Sequence, residues 1–178
     1  INIPMDQNGP DMDVVEKLVK DDPTIKGIWC VPQYSNPTGC VYSDDCVERL
    51  VSMKTAAPDF KIFWDNAYCV HHLYKEHYVK NIYRAAQKYG TTDRVLYFTS
   101  TAKMTYPGAC ISMIAAGDNQ IKVIREQLKM EIFSYNKINQ LRHFRYLKSP
   151  ENIKKHMKEV AGLITPKFDY VDNTLRND

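Results

Sequence analysis

The sequence lacks any apolar run long enough to cross a bilayer, which requires about 18 residues or more. Its longest smooth apolar stretch, at about Ile111 to Ala116, has only the length of a strand. The first residues also show no signal-peptide pattern. We therefore predict a protein without a membrane partner.

Cysteine is scarce, with five residues, an odd number, and no CxxC pair. Disulfide frameworks and structural zinc sites use paired or closely spaced cysteines. Adjacent His71 and His72 would point to opposite faces of a strand, and no cysteine or carboxylate stands beside them at ligand spacing. We expect no metal site, and reduced thiols in a cytoplasmic protein.

An excess of either charge is also missing, since 24 basic and 21 acidic side chains leave a net charge of +3. The nearest approach to a basic cluster, Arg142 to Lys148, is interpreted as a solvated helix face. This balance predicts no nucleic-acid partner. A chain of 178 residues that is 44% hydrophobic and 25% charged is typical of a globular domain.

Short apolar strands alternate with amphipathic helices along most of the chain. Strands are predicted at Ile28–Val31, Lys61–Trp64, Val95–Thr99 and Cys110–Ala116, and helices at 11–20, 43–53, 81–89 and 120–130. Ser43 and Asp118 are the predicted N-caps of two of these helices. The pattern predicts an α/β fold with a mainly parallel, mixed sheet covered by helices on both faces.

The pattern changes after about Ser134, where strand signals stop and a last helix is predicted to start at Ser149–Pro150. We predict a sheet domain over residues 1–146 and a helix over 147–178 that leads toward a further domain. Because the chain starts with Ile1 inside an apolar stretch and stops soon after a helical pattern, we interpret it as part of a longer protein, truncated at both ends.

Polar side chains follow three successive strands, where an open α/β sheet binds its ligands. The first loop contains Asn36-Pro37-Thr38-Gly39, the second Asp65 and Tyr68, and the third Ser100 and Lys103. A turn, a helix cap or an exposed lysine would explain each loop taken singly. Together they offer an amide, a carboxylate, a phenol, a hydroxyl and an amine.

This set matches the chemistry of pyridoxal 5'-phosphate (PLP). The PLP aldehyde needs an amine to form an imine, and its pyridine nitrogen needs a carboxylate to stay protonated. The phenolate oxygen of the ring needs hydrogen-bond donors, and the phosphate needs hydroxyl, amide or cationic donors. The sequence therefore indicates a PLP site.

The same segments resemble fold-type I PLP enzymes of aminotransferase class I and II. Asn36 to Gly39 is similar to the Asn-Pro-Thr-Gly signature, Asp65 and Tyr68 match the Asp-x-x-Tyr pair, and Ser100 to Lys103 resembles Ser-x-Ser-Lys. Asn139 to His143 looks closest to the aspartate-aminotransferase-like branch.

The resemblance implies a role for each of these residues. Lys103 would form the imine, Asp65 would meet the pyridine nitrogen, Asn36 and Tyr68 the phenolate oxygen, and Ser100 the phosphate. Lys103, Asp65 and Tyr68 would be the catalytic residues.

The resemblance also implies a wider organisation. Residues 1–146 would be a portion of the PLP-binding large domain, and 147–178 would lead toward a C-terminal small domain. The protein would be a homodimeric aminotransferase that moves an amino group between an amino acid and a 2-oxo acid. This chain alone would be inactive.

Two departures and three alternatives stay open. Cys110 stands where many relatives have a phosphate-binding arginine, so how the phosphate is held is not readable, and Ala102 replaces a hydroxyl residue. The same residues would serve a PLP-dependent β-lyase or the PLP-sensing domain of a transcriptional regulator, and a degenerate structural domain is a third alternative. The amino-acid substrate is not readable from this sequence.

Overall fold

The computed structural model describes residues 1–177, which form six strands and six α-helices. The strands are β1 (Met5–Asp6), β2 (Gly9–Pro10), β3 (Gly27–Cys30), β4 (Lys61–Asp65), β5 (Val95–Ser100) and β6 (Ser112–Ala115). The helices are α1 (Met12–Asp21), α2 (Asp44–Ser52), α3 (Ile82–Tyr89), α4 (Asp118–Glu131), α5 (Lys137–Leu147) and α6 (Pro150–Asn177).

The main sheet has the order β3-β4-β5-β6, with the first three strands parallel and β6 antiparallel to β5. Helical crossovers link the parallel strands, as parallel pairing requires. The connection from β5 to β6 contains no crossover α-helix, so β6 returns beside β5 in the opposite direction. The predicted mixed α/β fold is confirmed.

An apolar core lies between the sheet and helices α1 to α3. Ile62 and Trp64 of β4 are fully buried there, together with Leu50 of α2 and Ile82 of α3. The other face of the sheet carries three stacked aromatic rings, Trp29, Phe63 and Phe98, with centroids 5.4 to 6.2 Å apart. Side chains alternate along β4, so Asp65 shares the face of Phe63.

The helix starts follow the expected capping chemistry, with one exception. The Ser43 hydroxyl accepts a hydrogen bond from the Cys46 amide, as predicted for an N-cap. Asp118 was predicted to cap α4 but is its first helical residue, and the cap position belongs to Gly117, which has no side chain to bond. An acid in the first turn still interacts favourably with the helix dipole.

The first half of α6 packs against the loops at the end of the sheet. Met157 and Ala161 are buried, and the His156 Nε2 lies 2.6 Å from the Met104 carbonyl oxygen. None of the helices among residues 1–177 is long and apolar enough to span a membrane. The division of the chain near residue 146 stays a prediction.

Candidate functional site

The loops that follow β3 and β4 are tied together by a buried amide. Gln33 is 2% exposed, and its Nε2 donates to the His77 carbonyl at 2.7 Å and the Cys69 carbonyl at 3.4 Å. The Asn66 amide donates to the Tyr97 hydroxyl at 3.0 Å, which joins the second loop to β5. These bonds hold the two loops together at one edge of the sheet, where the carboxyl ends of neighbouring parallel strands lie.

Lys103 and Tyr68 meet at this edge. The Lys103 Nζ lies 4.7 Å from the centroid of the Tyr68 ring, within the range of a cation–π contact. Lys103 itself is exposed, whereas Tyr68 is half-buried. The amine of the third loop is therefore held beside the phenol of the second.

Asn36 and Tyr68 line the same cavity, which has a volume of about 800 Å³. Pro37 and Gly39 contribute to its wall from the first loop, and Phe168 of α6 from the other side. The cavity is therefore formed partly by α6, whereas the sequence predicted only the loops that follow the strands.

Asp65 and Ser100 are the last residues of neighbouring parallel strands. Asp65 is paired in register with Phe98, two residues before Ser100, and alternation places both polar side chains on one face of the sheet. Both are half-buried, and the Ser100 Oγ accepts a hydrogen bond of 3.4 Å from the Ala102 amide. Neither residue belongs to the lining of the cavity.

His71 links the two central predicted residues. Its Nε2 lies 3.1 Å from the carbonyl oxygen of Lys103, and its ring stands edge-on to Tyr68 with centroids 5.5 Å apart. Burial lowers the pKa of the His71 imidazole. Sequence reasoning considered His71 only as a metal ligand and missed this contact.

The segment after Lys103 is clamped by α5. The Asn139 Nδ2 donates to the Ala109 carbonyl at 2.6 Å, and the His143 Nε2 lies 2.9 Å from the Thr105 hydroxyl oxygen. The clamp holds the backbone around Cys110, the position where many relatives have arginine. Sequence reasoning used Asn139 and His143 only for family resemblance, because a contact 30 or more residues away leaves no local signal.

Comparisons with known proteins identify the family of this chain. The sequence profile of the family described as "Aspartate amino-transferase" matches residues 1–178. The chain belongs to the aspartate aminotransferase family. An aspartate aminotransferase of Corynebacterium glutamicum is 42% identical over 172 residues, which are 96% of this chain and 40% of that protein. The chain thus spans less than half of the length of this family relative.

Solved structures give the same assignment. The crystal structure of an aspartate transaminase from Corynebacterium glutamicum matches 99% of this chain and 42% of its own, with a TM-score of 0.94 and 40% identity. A more distant match is the α-aminoadipate aminotransferase LysN of Thermus thermophilus, solved with N-(5'-phosphopyridoxyl)-L-leucine. It covers 97% of this chain and 44% of its own with a TM-score of 0.79, and at 19% identity it shows the fold alone.

Proposed function

We propose that this chain is the central part of a PLP-dependent aminotransferase that moves an amino group between an amino acid and a 2-oxo acid. The observation that carries the proposal is the contact of the Lys103 amine with the Tyr68 ring, at 4.7 Å. Tyr68 shares its cavity with Asn36, so three predicted groups from three loops lie in one region. The names of the family relatives support the same reaction.

The residues present fit PLP by the chemistry of their donor groups. Lys103 would bond the aldehyde, and the Asp65 carboxylate would hold a proton on the pyridine nitrogen. The Asn36 amide and the Tyr68 hydroxyl would donate to the phenolate oxygen, and the Ser100 hydroxyl would bind the phosphate. Each part of the cofactor therefore has at least one candidate partner at or just after the end of β3, β4 or β5.

PLP, when bound, would supply an electron sink for the carbanion of the substrate. The Lys103 amine would take a proton at Nζ and return it, as general base and then general acid. The cation–π contact orients the Lys103 amine when it is not bonded to the cofactor. Asp65 and Tyr68 would complete the catalytic set by holding protons at two fixed places on the cofactor.

The decisive experiment is covalent trapping in the full-length protein. Borohydride reduction followed by digestion and mass spectrometry should place the phosphopyridoxyl group on the peptide that contains Lys103. The Lys103→Ala variant should lose this label and the visible absorption of the bound cofactor. Lys122→Ala, which changes an exposed lysine of α4, is the matched control and should keep both. A label on another lysine would refute the assignment.

Transfer and elimination share these residues, and kinetics separates them. An aminotransferase should release a 2-oxo acid repeatedly only when a second 2-oxo acid is supplied. Sustained release without an acceptor would indicate a β-lyase instead.

Two further proposals concern the assembly and the location of the protein. We propose a homodimer because the family resemblance implies one, and light scattering of the full-length protein should give twice the monomer mass. We propose a cytoplasmic location because all five cysteines are unpaired. Cell fractionation tests it.

A further inference from the structure

We infer that His71 is a positioning residue that holds the Lys103 amine over the Tyr68 ring. The inference rests on the proposed function. His71 lies on the loop after β4, touches the backbone of Lys103 through Nε2 at 3.1 Å, and packs its ring edge on Tyr68. It also lines the cavity shared by Asn36 and Tyr68. One imidazole thus contacts both partners of the cation–π pair.

The chemistry of the contact defines the tautomer. The Lys103 carbonyl oxygen can only accept a hydrogen bond, so the His71 Nε2 must carry the proton and donate. The Nδ1 atom is buried and has no hydrogen-bond partner among residues 1–177. The bond to Lys103 is therefore the one side-chain hydrogen bond that orients this ring within the described part of the chain.

A neutral ring suits this position. Burial is the main cause that lowers the His71 pKa, and the nearby Lys103 ammonium adds to it. A second positive charge here would repel the Lys103 amine from the Tyr68 ring. The neutral ring instead bonds the Lys103 backbone and leaves the Nζ free to react.

The neighbouring histidine provides a natural contrast. The His72 Nδ1 lies 2.6 Å from the Tyr34 hydroxyl, and its ring packs edge-on to Tyr34 and Tyr78. The two adjacent histidines therefore contact different loops, and of the two only His71 contacts the loop that contains Lys103. His72 variants are accordingly the matched controls.

The test compares steady-state kinetics of full-length variants saturated with PLP. In His71→Phe, which keeps an aromatic ring but cannot donate a hydrogen bond, kcat should fall by about fivefold, as expected for one lost hydrogen bond of roughly 1 kcal/mol. The KM for the amino acid and the cofactor content should stay near the wild-type values. His71→Gln, whose amide nitrogen can occupy the place of Nε2, should recover most of kcat, and His72→Phe should retain it.

Two results would overturn the inference. One is a wild-type kcat in His71→Phe at equal cofactor content, and the other is a kcat in His71→Gln as low as in His71→Phe. If His71→Phe does not fold, His71→Asn replaces it in the test, because the shorter side chain of Asn cannot reach the Lys103 carbonyl. Equal kcat values for His71→Asn and His71→Gln would then refute the positioning role of His71. If borohydride trapping of the wild-type protein left no phosphopyridoxyl group on Lys103, the proposed function itself would be refuted. Failure of the proposed function is therefore distinguishable from failure of the His71 inference.

Discussion

At the scale of single residues, burial changes the protonation of two histidines beside the candidate site. Burial lowers the pKa of His71 and of His72 below the ordinary value of 6.5. Both rings therefore stay neutral in the folded protein at a pH where the unfolded chain already binds protons. Such a difference links folding stability to pH.

We predict that the free energy of unfolding decreases as the pH falls from about 7 to 5, because the unfolded state binds more protons than the folded state in this window. The stability from these rings is fully present above pH 6.5, the ordinary value, and is lost below it. Urea unfolding of the full-length protein at several pH values measures this slope. The double variant His71→Gln/His72→Gln should show a shallower slope, and an unchanged slope would contradict the explanation.

At the scale of elements, the short helix α3 depends on its two ends. The Asn81 side chain accepts a hydrogen bond from the Arg84 amide at 3.0 Å, and Gly90 ends the helix in the left-handed conformation at φ 66°. A helix of eight residues has too few internal bonds to be stable by propensity alone. Its capping and the burial of Ile82, Ala85 and Ala86 therefore stabilise it.

Two glycine substitutions should have opposite effects. Gly90→Ala should lower the free energy of unfolding by about 1 kcal/mol, because a side chain disfavours the left-handed conformation. Gly162→Ala, inside α6, should raise it by up to about 1 kcal/mol, because alanine is the better helix former. A Cβ at either position would meet no neighbouring atom within 4 Å, so steric clashes do not contribute to the two stability changes. Thermal and urea unfolding measure the change in the free energy of unfolding for each variant. Changes of the same sign in the two variants would contradict this prediction.

At the scale of the whole molecule, the candidate site exists because three loops and one long helix converge. Gln33 bonds the loop after β3 to the loop after β4, and the Thr165 hydroxyl of α6 donates to the Leu73 carbonyl at 3.2 Å. Tyr74 and Asp169 form a second bond between that loop and α6, at 2.6 Å. The loop after β4 is therefore held from two sides.

We predict that Gln33→Leu lowers the free energy of unfolding by about 1–3 kcal/mol, because the partly buried carbonyls of Cys69 and His77 lose the hydrogen bonds that Gln33 donates. Hydrogen exchange should also become faster across residues 69–77. Gln127→Leu is the matched control, since among the described residues the Gln127 side chain bonds only the exposed Glu131, and it should change stability by less than about 0.5 kcal/mol. Equal exchange rates in the two variants would show that Gln33 does not hold the loop.

Much of this fold could be predicted from sequence because apolar periodicity reports directly which residues face a core. The parallel strands, the helices between them and the cap at Ser43 follow from that periodicity and from local hydrogen bonding. The cap of α4 was misassigned by one residue. Gly117 has no side chain that could mark it as the cap, and the adjacent Asp118 is of a residue type that N-cap positions prefer.

The sequence by itself determined the family and the order of the candidate residues along three strand ends, since neighbouring parallel strands bring their carboxyl ends to one edge. Tertiary structure decided which loops touch: His71 bonds Lys103 across 32 residues, and α6 supplies Phe168 to the cavity wall. The physical reason is that periodicity specifies which face of an element is buried, whereas contacts between loops depend on packing between distant parts of the chain.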